Sequence, residues 1–252
     1  AAPMASALPP VLTEALGLSA GFAPLPFSLN LKSNGLPEAL SLNADIGLED
    51  SRLSADALLD LTKARGQGSV TFRHPSAARL FALAFGRSEP VWMGEGSASF
   101  IARIAAEGAD ITLPFFTLVA ADTRLSGEGR LELGSARPKF AWRIAAENLA
   151  LPPLDTTDTE PLPLAFLPGV DGSLSLMATR IALFGLPPIQ NVNAELTLEN
   201  GLLQLQSFNA ALAGGRMEGR GQVDTSVKPP LLEGSFDISS ATLAHPVFDF
   251  PF

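Results

Sequence analysis

Four G-x-G pairs are the first residues in the sequence that could do chemistry. They occur at Gly66/Gly68, Gly94/Gly96, Gly127/Gly129 and Gly219/Gly221. A phosphate-binding loop needs its glycines between a strand and a helix N-terminus, with a further glycine or a Lys-Ser/Thr pair. None of the four pairs has that context. The last two lie on the apolar side of an alternating pattern, where glycine permits bending or leaves room for a close neighbour. We therefore interpret these glycines as structural.

Histidines and a short acidic stretch are the next candidates, in this case for binding a metal ion. His74 and His245 lie far apart, each directly before a proline. A zinc site uses three or four His, Cys or carboxylate ligands, and a catalytic triad needs a histidine beside a nucleophile. The stretch "DTTDTE" (155–160) lacks the glycine and the final glutamate of a calcium loop. The sequence therefore predicts no metal site, and it predicts a solvated linker at 155–160.

Carboxylates and nucleophiles give no better case for catalysis. Glu128, Glu132 and Glu218 fall on the polar side of predicted strands, where solvated carboxylates are expected. The chain has no cysteine, which excludes thiol chemistry, disulfides and cysteine-based metal sites. We expect a protein that is not an enzyme and has no catalytic residues and no cofactor.

Composition narrows the class of partner. Apolar residues make up 46% of the chain and charged residues 17%, with a net charge of −9. This charge argues against nucleic acid and against electrostatic docking on anionic lipid headgroups. The longest apolar run, at 115–121, is far shorter than the roughly 20 residues that span a bilayer. The N-terminal stretch does not resemble a signal peptide, so we expect a fragment whose membrane anchor lies outside it.

Alternation of apolar and polar residues predicts an all-β, mainly antiparallel fold. The pattern is clear at 40–48, 139–148 and 232–239, and an Asn200-Gly201 pair between two such runs predicts a tight hairpin. Helical patterns are confined to 9–18 and 75–86, the second with Ser76 as N-cap. We therefore expect only a few short helices beside the strands.

A decapeptide pattern occurs three times and indicates a repeat. It is "RLSADALLDL" at 52–61, "RLSGEGRLEL" at 124–133 and "RMEGRGQVDT" at 216–225, with Asp60, Glu132 and Asp224 at the ninth position. Repeats of this kind stack and bury their apolar faces on one another. We predict three units, 1–75, 76–153 and 154–252, in one elongated, strongly curved sheet. A pair of β-sandwiches is the rival interpretation.

Aromatic usage suggests what the sheet does. The chain has 16 Phe and two Trp but no Tyr, so its ring surface carries few polar groups. Such rings could form an ordinary core, or they could form the wall of an apolar groove. The residues that we predict to line the groove are Leu131, Phe140, Trp142, Leu196, Leu205, Val223 and Phe236.

Longer stretches resemble a known family. "AELTLENGLLQLQSFNAALAGGRMEGRGQVD" (194–224), the segment from Phe166 leading into it, and "HPSAARLFALAFG" (74–86) resemble the C-terminal region of the AsmA family of bacterial envelope proteins. The resemblance implies a repeating β-groove, similar to bridge-like lipid transport proteins. It also implies a periplasmic protein of a Gram-negative bacterium, anchored in the inner membrane by a helix, and it carries over no catalytic residues.

Two functions follow as expectations. In the first, the segment binds or conducts phospholipid, or another acyl-chain lipid, along its apolar groove between the inner and outer membranes. Adjacent segments of a longer parent chain would be its other partners, and nucleic acid would not be one. In the alternative, the chain is a structural or assembly component of the envelope or of a secretion system, and the apolar face docks protein.

Overall fold

The structure is a computed structural model that describes residues 26–85, 88–151, 164–183, 187–227 and 229–242. In these ranges thirteen strands follow one another in chain order in a sheet. The strands are β1 (Phe27–Leu36), β2 (Ala39–Leu48), β3 (Ser51–Asp60), β4 (Arg65–His74), β5 (Ala98–Glu107), β6 (Asp110–Ala120), β7 (Thr123–Glu132), β8 (Lys139–Leu151), β9 (Asp171–Leu183), β10 (Ile189–Glu199), β11 (Leu202–Leu212), β12 (Gly215–Asp224) and β13 (Leu231–Ser239). One α-helix, α1 (Ala77–Phe85), and two 3₁₀ helices, Val91–Met93 and Leu164–Gly169, complete the described elements.

The predicted fold class is confirmed, because the described chain is nearly all β and mostly antiparallel. Adjacent strands pair antiparallel from β1 to β6 and from β9 to β13. Strands β8 and β9 pair in parallel, from Lys139↔Asp171 to Leu151↔Leu183. The strong curvature of the sheet stays a prediction.

Local signals in the sequence placed the turns and the helix correctly. Asn200 and Gly201 connect β10 to β11 with φ of 53° and 82°, the positive values that a tight hairpin turn requires. The hydroxyl of Ser76 accepts a hydrogen bond from the backbone N–H of Arg79 at 3.1 Å, as expected of an N-cap before α1. The helix predicted at 9–18 lies outside the described residues.

Contacts divide the chain into two compact units. Unit 1 runs from residue 1 to residue 124 and contains β1 to β6 and α1, and unit 2 runs from residue 125 to residue 252 and contains most of β7 with β8 to β13. The division into three units at 1–75, 76–153 and 154–252 stays a prediction.

Strand positions show the repeat. Moving along the sequence by 72 residues carries β1–β4 onto β5–β8, and moving by 92 carries β5–β8 onto β10–β13, with strand starts agreeing within two residues. Strand β9 is additional. The three decapeptides coincide with β3, β7 and β12, which are the third strands of these successive four-strand sets. Their predicted equivalence is therefore confirmed.

The acidic ninth residue of the pattern has a structural role in two copies. Asp60 Oδ1 accepts hydrogen bonds from the Thr62 hydroxyl at 2.6 Å and from the Thr62 backbone N–H at 3.1 Å. Asp224 Oδ1 accepts the same pair from Ser226, at 2.6 and 2.8 Å. These bonds stabilise the charged form, so the pKa of each carboxyl is lowered. Each aspartate therefore closes the turn after its strand.

Candidate apolar binding face

Apolar side chains cover one face of β8 to β13 in unit 2. Residues that lie opposite one another in the register form rows across these six strands. Three consecutive rows, which we call the apolar face, are Trp142, Leu174, Leu196, Leu205, Gly221 and Gly234; Phe140, Gly172, Leu198, Leu203, Val223 and Leu232; and Ile144, Leu176, Ala194, Phe208, Gly219 and Phe236.

The residues predicted to line a groove lie together on this face. Six of them belong to the three rows, namely Phe140, Trp142, Leu196, Leu205, Val223 and Phe236. Leu131 lies two positions after Gly129 on β7, and Gly129 faces Trp142. Because alternate residues of a strand share a face, Leu131 is on the same side. Sequence reasoning missed Leu174, Leu176 and Phe208, although the alternation along β9 and β11 could have identified them.

Exposure varies across the apolar face. Six of the predicted residues are half-buried and Phe236 is 52% exposed, whereas Leu198 is only 2% exposed. Next to the rows, toward one end of the strands, lies a cluster of buried residues: Ala146, Ala178, Ile181, Val192 and Ala210. The side chains that we predicted to bind lipid are therefore accessible, while the adjoining cluster supports them.

Three glycines on this side of unit 2 lie beside aromatic rings of neighbouring strands. A Cβ atom built on Gly129 would fall within 3.0 Å of the Trp142 ring. One on Gly172 would fall 2.6 Å from Cδ1 of Phe140, and closer still to the backbone carbonyl oxygen of Phe140. Gly219 has the same relation to the ring of Phe236. The structural interpretation of the glycines is thus confirmed at Gly129 and Gly219, since each leaves room for a close neighbour.

The opposite face of unit 2 is polar, and hydrogen bonds connect its side chains across neighbouring strands. Arg143 donates to Glu128 at 2.7 Å, Ser175 donates to Glu195 at 2.8 Å, and Gln222 donates to Glu233 at 2.7 Å. The side chains of Glu128, Glu132 and Glu218 are 42–52% exposed and pair with nearby arginines. They are the solvated surface carboxylates that the alternation predicted.

The described histidine has a structural position. His74 ends β4, is 2% exposed, and its Nδ1 accepts a hydrogen bond from the backbone N–H of Ser76 at 3.0 Å. Among the described residues no group of three or more His, Asp or Glu could hold a metal ion. His245 and the acidic stretch 155–160 lie outside the described residues.

Within the described ranges, no helix is both long enough and apolar enough to cross a bilayer.

One known protein family matches the part of the chain that contains the apolar face. The profile of the AsmA family matches residues 138–245, a range that contains β8 to β13. No curated protein and no solved structure matches the chain. The family resemblance deduced from the sequence is therefore confirmed over this range.

Proposed function

We propose, from the premise that residues 138–245 are an AsmA-family region, that the apolar face binds acyl chains of phospholipid. The protein would be a periplasmic, non-enzymatic segment of an inner-membrane-anchored chain, and it would conduct lipid between the inner and outer membranes. The observation that supports this proposal is the accessible apolar face across β8 to β13.

The exposure of the face is the first argument for a ligand. Soluble monomers rarely expose contiguous apolar patches beyond a few hundred Å² unless the patch has a partner. Here Leu232 and Phe236 are 74% and 52% exposed, and most other residues of their rows are half-buried. An acyl chain laid along such rows gains roughly 0.8 kcal/mol for each CH₂ that leaves water.

The length of the rows is the second argument. From Trp142 to Gly234 a row crosses six strands, which is about 24 Å along the sheet at a strand spacing of about 4.8 Å. One leaflet of a bilayer core is about 15 Å thick, half of the roughly 30 Å hydrocarbon core. A row is therefore long enough to lie against a whole acyl chain.

A charge placed on the face tests the proposal. Leu205→Asp should reduce the phospholipid that co-purifies with the protein at least fivefold. An acyl chain on the face would have to cover the new carboxylate, and removing a charge from water costs free energy. Gln206→Asp is the matched control, since Gln206 is the next residue, is exposed, and bonds to Thr197 on the polar face. Mass spectrometry after native purification measures the lipid, and circular dichroism checks the fold. Unchanged lipid in a folded Leu205→Asp variant would contradict the proposal.

The edge of the sheet favours a second candidate, in which the face docks protein in an envelope assembly or a secretion system. Every residue of β13 is exposed, including Leu231 and Leu232, and an exposed edge strand is a common site for pairing with another chain. Wild-type protein that purifies without lipid would favour this alternative.

A further inference from the structure

The indole ring of Trp142 lies directly over Gly129 in unit 2. A Cβ atom on Gly129 would approach Cε3, Cζ3 and Cδ2 of Trp142 more closely than real Cβ atoms approach any neighbour. Cε3 and Cζ3 belong to the six-membered ring of the indole, and Cδ2 joins the two rings. Gly129 is buried although it lies on an accessible face, and Trp142 is half-buried. The indole therefore covers the backbone of β7 and leaves part of its own surface accessible.

A second pair of this kind lies near the edge of the sheet. Gly219 lies between Phe208 on β11 and Phe236 on β13 in the same row. The two rings meet edge to face with centroids 5.9 Å apart, although their strands are two spacings, about 9.6 Å, apart. They therefore lean toward each other above Gly219, which has no side chain to hold them apart.

Other glycines of unit 2 have different neighbours, and at Gly172 a Cβ would meet the carbonyl oxygen of Phe140 before the ring of that residue. A Cβ on Gly221 would first meet backbone atoms, the carbonyl oxygen of Glu233 at 3.0 Å and Cα of Gly234 at 3.4 Å. A Cβ on Gly169 would meet nothing within 4 Å. Ring contact is thus not a general consequence of glycine in this sheet.

We infer that Gly129 and Gly219 are positioning residues for the lipid path. Each glycine lets aromatic rings lie directly against the backbone, so that the rings stay out of the space above the rows. The inference rests on the proposed function. A methyl group at either position would push a ring outward, since strand backbones yield less readily than side chains. The displaced ring would then occupy space above the rows where an acyl chain lies.

The fluorescence of Trp142 can report whether its own ring moves. The chain has two tryptophans, so Trp92→Phe leaves Trp142 as the sole indole. In this background Gly129→Ala should raise the acrylamide quenching constant of Trp142 at least twofold. It should also lower co-purified phospholipid at least threefold. Gly169→Ala, at an exposed glycine with free space around it, is the matched control and should change neither value.

A double variant separates positioning from general damage to the fold. In Gly129→Ala/Trp142→Ala the displaced ring is absent, so lipid per folded protein should return to within twofold of the Trp142→Ala level. A purely structural role for Gly129 predicts no such recovery. Gly219→Ala with Phe236→Ala is an independent repeat of the same test.

The outcomes of the two proposals can be told apart. If Gly129→Ala leaves the quenching of Trp142 unchanged, the ring does not depend on the glycine and the inference is wrong, whatever the lipid content. If the ring moves but wild-type protein carries no phospholipid, and Trp142 of the Trp92→Phe protein is not quenched by dibrominated phosphatidylcholine vesicles, the proposed function fails. If the ring moves and lipid content does not fall, Gly129 does not position the path.

Discussion

Units 1 and 2 bury different kinds of side chain at corresponding positions of the repeat. In unit 1 two polar residues are buried, Ser51 at the start of β3 and His74 at the end of β4, which are 5% and 2% exposed. Ala77 of α1, close to His74 in the sequence, is 2% exposed. Moving by 72 residues carries His74 to Ala146, which belongs to the all-apolar cluster of unit 2. That cluster is covered by side chains such as Leu149 and Ile189. Corresponding positions of the repeat therefore bury a polar side chain in unit 1 and a small apolar side chain in unit 2.

Gly68 of unit 1 and Gly129 of unit 2 also have different neighbours. A Cβ on Gly68 of unit 1 would crowd backbone, reaching Cα of Ala57 at 3.0 Å, whereas one on Gly129 of unit 2 would crowd the ring of Trp142. Beside Gly68, the residue that it pairs with on β3 is also small, namely Ala57. At these two positions glycine therefore serves different purposes: Gly68 permits close approach of backbone, and Gly129 leaves room for a ring.

The largest expected effect tests how fully each unit buries its aromatic residues. Phe116→Ala in unit 1 should lower the free energy of unfolding by about 4 kcal/mol, because Phe116 is 5% exposed. Trp142→Ala in unit 2 should cost only about 2 kcal/mol because Trp142 is half-buried. Urea unfolding followed by circular dichroism measures both.

Phe115→Ala is the control for this prediction. Phe115 precedes Phe116 but is 47% exposed on the other face, so its loss should cost under about 1 kcal/mol. Equal costs for Phe116→Ala and Trp142→Ala would show that the apolar face of unit 2 is sealed.

The next effect sharpens the contrast between the glycines. Gly68→Ala should lower the free energy of unfolding by about 3 kcal/mol, since backbone atoms block the new methyl group. Gly129→Ala should cost about 1.5 kcal/mol, because a ring can rotate away. Thermal and urea unfolding measure the two costs, and the reverse order would mean that backbone crowding does not distinguish Gly68 from Gly129.

A smaller effect concerns the contact between α1 and the turn that connects β2 to β3 in unit 1. Arg79 of α1 donates to Glu49, in the turn between β2 and β3, at 2.5 Å, with the Glu49 side chain 22% exposed. Arg79→Ala should therefore cost about 0.5–1 kcal/mol, and the cost should shrink in high salt. Arg65→Ala removes a more exposed pair with Glu107 and should cost less than about 0.5 kcal/mol. A larger loss for Arg65→Ala would contradict this ranking.

The smallest effect should be the same in both units. Hydroxyl hydrogen bonds lower the pKa of Asp60 and of Asp224, so each contributes stability that is present above the unfolded value of about 3.9 and lost as pH falls through the folded pKa. Thr62→Val and Ser226→Ala should each raise the pKa of the neighbouring aspartate toward its ordinary value. Carboxyl-carbon NMR titration measures this shift, and a shift in only one unit would show that the turns are not equivalent.

Much of the fold was readable from the sequence because its signals are local. Alternation along a strand fixes which residues share a face, so the seven predicted lining residues fell on one side of the sheet. Asn200-Gly201 and Ser76 specified a turn and a helix start through their own backbone preferences and hydrogen bonds. The repeated decapeptide located equivalent strands.

Only the tertiary structure decided what depends on contact between residues distant in sequence. The parallel pairing of β8 with β9 has no local signal, because strand direction depends on the course of the connection. Sequence alone could not tell whether Gly68 and Gly129 would face backbone or a ring, since the neighbouring strand supplies the atoms. Nor could it set the exposure of Leu198 at 2% beside a half-buried Leu196. Alternation assigns a side chain to a face, and packing from other strands then determines how much of it remains accessible.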